Sequence, residues 1–129
     1  MAYVFARHFA REDCGDLVNI SSVLGKKVRP TAGAYAGTKF AIEALSEALR
    51  MELSHRNVSV SCTQPGLVMT GLHDRWDTHP REALGIADPL RPDDIARMPL
   101  GCVQGSTVTR SARRRDEAGG SSQTVVVRV

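Results

Sequence analysis

Gly-x-Gly turns, Cys-x-x-Cys pairs and long apolar runs are all missing from this sequence. No stretch approaches the roughly 18 consecutive apolar residues of a membrane-spanning helix, so no membrane partner is expected. Cysteine is scarce: Cys14, Cys62 and Cys102 are odd in number and far apart. That pattern supports neither a disulfide framework nor a zinc site, and no metal is expected. Aromatic residues are few at 5%, with one Trp, which leaves little to stack on nucleic-acid bases. The first eleven residues lack the apolar core and small-residue cleavage site of a signal peptide. They read as a helix end, and a cytoplasmic location is the expectation.

What is present fits one domain. The 129 residues are 42% hydrophobic and 24% charged, the mix of an ordinary globular protein. Charge is unevenly spread. Residues 1–96 carry eleven basic and twelve acidic side chains, whereas residues 97–129 carry six and two. The net charge of +3 is therefore a property of the tail. The body offers no electrostatic case for DNA or anionic lipid, and the Arg110, Arg113, Arg114 and Arg115 run reads as solvated charge. No nucleic-acid partner is expected.

Periodicity gives the elements. Leu17-Val18-Asn19-Ile20-Ser21 is a short β-branched run between Gly15 and Gly25 and reads as a buried strand. Residues 23–34, with Gly25, Pro30 and Gly33, read as a loop. From Tyr35 to about Leu53, the apolar positions Tyr35, Phe40, Ile42, Leu45, Leu49 and Leu53 recur at helical spacing, and Glu43, Glu47, Arg50 and Glu52 fill the other face. Val58, Val60 and Cys62 then alternate with Ser59, Ser61 and Thr63 as a second strand that Pro65-Gly66 stops. Strand, helix and strand in this order predict a parallel pair with a right-handed crossover. Residues 74–92 contain Pro80, Pro89 and Pro92 and read as a mobile flap. Leu67, Met69, Leu72 and Trp76 are candidates for an apolar lid. Pro92, Asp93 and Asp94 suit the start of another helix, which Met98-Pro99 should stop. Residues 99–123 read as disordered, with a strand to come only at Val125–Val127.

Chemistry concentrates in one place. Tyr35 and Lys39 are four apart and project from one helix face. Ser22 lies thirteen residues before Tyr35, just past the carboxyl end of the first strand, where open parallel sheets bind ligands. A hydroxyl, a phenol and an ammonium around one point suit proton transfer coupled to hydride transfer at a carbonyl or alcohol. A nearby ammonium favours the phenolate, and a serine hydroxyl can hold an oxygen where charge develops. The hydride has to come from a cofactor, because no side chain supplies one.

Jointly these segments resemble the short-chain dehydrogenase/reductase family. Asp16-Leu17-Val18-Asn19-Ile20-Ser21-Ser22 is similar to its strand with the catalytic serine, and Ala34-Tyr35-Ala36-Gly37-Thr38-Lys39 to its catalytic helix. The stretch from Val58 to Thr70, with Pro65-Gly66, resembles the following strand and its Pro-Gly-x-x-x-Thr turn. Arg91 to Ala96 resembles the family's Pro-Glu-Asp-Ile/Val-Ala segment. The resemblance implies an α/β fold, a partial Rossmann-like, doubly wound parallel sheet, over residues 1–97, followed by an atypical tail at 98–129. It implies NAD or NADP as cofactor and a small-molecule carbonyl or secondary alcohol as substrate. Tyr35 would be the general acid/base, and Lys39 would bind the nicotinamide ribose and depress the Tyr35 pKa. Ser22 would orient the substrate carbonyl. Pro65, Gly66 and Val68 would line the nicotinamide pocket, with Thr70 near the carboxamide. A homo-oligomer through the 35–53 helix is also implied.

The departures carry expectations too. The family's glycine-rich cofactor turn and its helix asparagine have no counterpart here. The chain therefore reads as the C-terminal half of a longer protein, a truncated product with a frame shift near 98–101, which translation of the flanking DNA tests. The alternative is a non-catalytic remnant that serves as a dimerisation or interaction module.

Overall fold

The computed structural model describes residues 1–74, 78–103, 111–114 and 123–124. Alternation of side chains along two short segments builds its centre. Strand β1 (Gly15–Ile20) and strand β2 (Val58–Thr63) run parallel, with Leu17 opposite Val60 and Asn19 opposite Cys62. Parallel neighbours cannot be joined by a tight hairpin. The crossover is supplied by helix α2 (Gly33–Glu52), which begins two residues before Tyr35.

Helix α1 (Ala2–Glu12) precedes β1, in line with the reading of the N-terminal segment as helical. Ala2, Ala6 and Ala10 recur every fourth residue and give α1 a narrow inward face. That face packs on Leu49, Leu53 and Val60, with Leu17, Leu45 and Val58 around them. The bulky residues Tyr3, Val4 and Phe5 are left outward. Helix α1 ends on Asp13 in the left-handed conformation.

Gly15 then opens β1 at φ 149°, and a Cβ built there would lie 2.4 Å from the Phe9 ring. Both backbone and space demand glycine. Gly15→Ala is expected to cost about 2 kcal/mol, read as a lowered urea midpoint, whereas Gly37→Ala, where a Cβ meets open space within α2, is expected to raise the midpoint, by about 0.5–1 kcal/mol.

A second core holds Leu67, Ile86, Leu90 and Met98, with Val68, Leu84 and Ile95 against it. It corrects the expectation of a mobile flap over 74–92. Helix α3 (Pro80–Ala83) and strand β3 (Ile86–Asp88) lie within that stretch, and Ile86 and Leu90 are buried. The backbone is tied down as well: Leu90 N–H donates to Leu67 O and Met69 N–H to Leu90 O, each at 2.9 Å. Short apolar anchors between prolines suffice once the 67–69 segment pairs with them.

Helix α4 (Pro92–Val103) starts as expected, with Asp93 and Asp94 in its first turn. The Asp94 carboxylate accepts the Arg91 N–H at 2.8 Å, a helix-start contact of the capping-box kind. The helix does not stop at Met98-Pro99. Proline removes one donor, but Met98 is fully buried in the second core, and that packing holds the helix across the gap. Strand β4 (Ser111–Arg114) pairs antiparallel with β3, and β5 (Gln123–Thr124) pairs with β4, within a stretch expected to be disordered. Trp76, Arg110, Arg115 and the Val125–Val127 segment lie outside the described residues.

Candidate functional site

The site residues sit where β1 and β2 run out. After Ile20 the chain enters a 3-10 turn (Val23–Gly25) capped by Ser22. The buried Ser22 Oγ accepts the Leu24 N–H at 3.2 Å and donates to Pro65 O at 3.4 Å. Backbone bonds repeat the link: Ser21 N–H donates to Thr63 O at 2.8 Å, and Val23 N–H to Pro65 O at 3.0 Å. The loops leaving the two strands are thus zipped together, and Pro65 is the meeting point.

Helix α2 brings the other two groups to the same rim. Lys39 Nζ donates to Ile20 O, the last residue of β1, at 3.3 Å. The same ammonium is 5.6 Å from the centroid of the Tyr35 ring. Ser21 Oγ donates to Lys39 O at 3.3 Å, which fixes the helix against the serine loop. Tyr35 is 44% exposed. Four residues before it, Thr31 holds φ 65°, a backbone state that a β-branched residue rarely adopts.

The expected pocket residues divide. Pro65 and the half-buried Gly66 stand at the rim. Val68 is committed elsewhere, bridging Leu90 and packing on the second core. Thr70 is exposed, and its hydroxyl accepts the Leu72 N–H at 3.4 Å at the start of the next 3-10 turn. Of the lid candidates, Leu67 belongs to the second core, Met69 is half-buried and Leu72 is exposed.

Helical spacing alone misplaces several residues of α2. Phe40, expected on the apolar face, is exposed, whereas Glu43, expected on the solvent face, turns inward with its side chain 12% exposed. Glu43 Oε2 accepts from Gln64 Nε2 at 2.8 Å, and Glu43 Oε1 from Cys62 Sγ at 3.5 Å. Nearby, Asn19 Nδ2 donates to Ser46 Oγ at 2.9 Å, and Arg50 Nε to Val60 O at 3.1 Å. The overlooked signal is spacing among polar residues: Tyr35, Lys39, Glu43, Ser46 and Arg50 recur every three or four positions and form a polar stripe along the strands. Burial pushes the Cys62 thiol up, and the Glu43 carboxylate adds to that. Burial likewise lowers His73, with the ring of His79 contributing.

A family model described as short chain dehydrogenase matches residues 1–81. The chain belongs to the short-chain dehydrogenase family. It is 42% identical over 72 residues to a 3-amino-tetrahydro-pyrrolizinone reductase of Xenorhabdus hominickii, covering 56% of this chain and 25% of that protein. Among solved structures it resembles acetoin dehydrogenase YohF from Salmonella typhimurium at 29% identity and a TM-score of 0.66, over 81% of this chain and 44% of that one. A Sphingobium yanoikuyae short-chain dehydrogenase in complex with NADPH shares the fold, with 24% identity, a TM-score of 0.67 and coverage of 81% and 40%. The chain therefore spans about a quarter of the curated relative and less than half of each solved structure. The fold is the Rossmann-type α/β arrangement of these dehydrogenases, with β1 and β2 as its described parallel pair.

The donor set of this rim would suit a nicotinamide ribose. An ammonium has three donors; one of Lys39's is directed to Ile20 O, which leaves N–H groups for sugar hydroxyls. A separate depression of about 400 Å³, lined by Cys14, Asp16, Arg56, Asn57 and Ser59 among others, lies at the opposite, amino ends of the strands. It contains no phenol or ammonium. Among the described residues no group of three His, Cys, Asp or Glu could hold a metal ion, and no helix is long and apolar enough to cross a membrane.

Proposed function

We propose that the Ser22–Tyr35–Lys39 rim is the proton-transfer and ribose-binding part of an NAD- or NADP-dependent oxidoreductase site acting on a small-molecule carbonyl or secondary alcohol. The observation that carries this reading is the Lys39 ammonium, anchored on Ile20 O and set beside the Tyr35 ring. Family membership and the NADPH held by a solved neighbour support it.

The roles follow from the groups. A bound reduced nicotinamide supplies the hydride for the carbonyl carbon. Tyr35 delivers the proton to the carbonyl oxygen, and in the reverse direction it takes the proton from the alcohol. Lys39 holds the ribose hydroxyls and stabilises negative charge left on the phenol oxygen. Ser22 holds the substrate oxygen; its hydroxyl contact with Pro65 O is long at 3.4 Å, and rotation about the C–O bond frees the proton for substrate. Pro65 and Gly66 form the wall beside the nicotinamide, and Val68 and Thr70 continue the same segment. The pyrophosphate and adenosine of the cofactor are assigned to no residue of this chain.

The test is titration of the purified chain with NADH and NADPH, followed by cofactor fluorescence. Saturable binding is expected, weakened about 10- to 100-fold in Lys39→Ala, because a charged donor loses its hydroxyl partners. No saturable binding at millimolar cofactor, or unchanged affinity in Lys39→Ala, would contradict the reading.

Self-association through α2 without turnover is a second reading. Phe40 and Met51 present apolar surface outward on this helix, the kind of surface such contact uses. Cofactor binding separates the two.

A further inference from the structure

Helix α2 carries three glutamates, and two of them behave as surface residues. Glu47 is 62% exposed and pairs with Arg50 one turn on, and Glu52 is exposed at the helix end. Glu43 is different: its carboxylate is withdrawn from solvent and surrounded by partners from two separate loops and from strand β2. Lys26 Nζ, from the turn that follows Ser22, is 3.5 Å from Glu43 Oε2. Gln64 Nε2, from the residue before Pro65, donates to the same oxygen at 2.8 Å. Cys62 Sγ approaches Oε1 at 3.5 Å. A buried carboxylate is costly unless its lone pairs are satisfied, and here the satisfaction is divided between the two segments that form the rim.

Gly25 supports the same arrangement. A Cβ at this position would come within 2.5 Å of Ser21 Oγ and 3.0 Å of Glu43 Cγ. The serine turn therefore lies directly on the Glu43 stem, with no side chain between them. Glu43 is also two turns beyond Tyr35 and one beyond Lys39 on the same helix face.

We propose that Glu43 is a positioning residue: its carboxylate clamps the Ser22 turn, through Gly25 and Lys26, to the Pro65–Gly66 segment, through Gln64, and so sets the distance between the substrate-holding hydroxyl and the nicotinamide wall. The inference rests on the hydride-transfer reading for its purpose. Its physical content is a coupling between two loops, which is measurable without turnover. The Val23 N–H is the reporter, since it donates to Pro65 O across the junction that Glu43 is proposed to hold.

Amide hydrogen exchange on the full chain tests the clamp, with NADH titration alongside. In Glu43→Ala the Val23 amide is expected to exchange about tenfold faster, while Leu17 and Val60 amides within the β1–β2 pair change much less. NADH affinity should fall in parallel by about fivefold. Glu43→Gln keeps an acceptor for Gln64 and should restore Val23 protection to within about threefold of the parent. Should Glu43→Ala fail to fold, Gln64→Met removes the donor at similar size and should accelerate Val23 in the same way. Unchanged Val23 exchange in these variants, or an acceleration shared equally by all strand amides, would overturn the clamp. Absence of NADH binding by the unsubstituted chain would overturn the hydride-transfer reading, and the two failures are read on different signals.

Discussion

Tyr35→Phe is expected to lower carbonyl reduction by about 10²- to 10⁴-fold while leaving NADH affinity within about twofold of the parent. The substitution removes one oxygen and its proton and keeps the ring that lies beside Lys39. A phenyl ring cannot donate to the carbonyl oxygen, so the negative charge that develops there is left without its proton source. Lys39 remains anchored on Ile20 O and retains its donors for the ribose, which is why binding should survive. The split between turnover and affinity is the informative quantity. Equal loss of both would make Tyr35 a packing residue, and retained turnover would remove it from the acid/base role.

The second large effect concerns the core that holds this rim together. Leu49 is 1% exposed and packs with Ala6, Leu53 and Val60, where α1, α2 and β2 meet. Leu49→Ala leaves a cavity beside alanines that are too short to fill it, and a loss of about 3 kcal/mol is expected. For a domain whose whole stability is of the order of 5–15 kcal/mol, that is a substantial share. Urea unfolding of both chains measures it as a shift in midpoint at constant slope. Met51→Ala, on the exposed side of the same helix, should change stability by less than about 0.5 kcal/mol. A Leu49→Ala chain as stable as its parent would mean that α2 does not dock on β2 through this face.

Much of this arrangement is legible in the amino acids. Val58, Val60 and Cys62 alternate with serines, and that period of two becomes β2 with its register against β1. The thirteen-residue gap from Ser22 to Tyr35 is a loop plus the opening turn of a helix, long enough to return the chain to the strand end it has just left. What stayed hidden depends on long-range neighbours. Glu43 looks like one more charge on a solvated face until Gln64, 21 residues later, turns out to donate to it. Ile86 and Leu90 are isolated apolar residues among prolines, and only their pairing with the 67–69 segment makes them core. Pro99 is a helix breaker by local rules, overridden by the burial of its neighbour Met98. Gly15 reveals its role only when the Phe9 ring is placed against it.

The function proposed for the hydroxyl, phenol and ammonium at the carboxyl rim of β1 and β2 is hydride-coupled proton transfer. Isotope transfer tests it most directly. The chain is incubated with a small ketone and NADPH deuterated at the reactive ring carbon, and the alcohol formed is weighed by mass spectrometry. Deuterium at the carbinol carbon, lost in Tyr35→Phe, is the expected result. Absence of labelled alcohol from the unsubstituted chain, with NADPH shown to be bound, would contradict the claim.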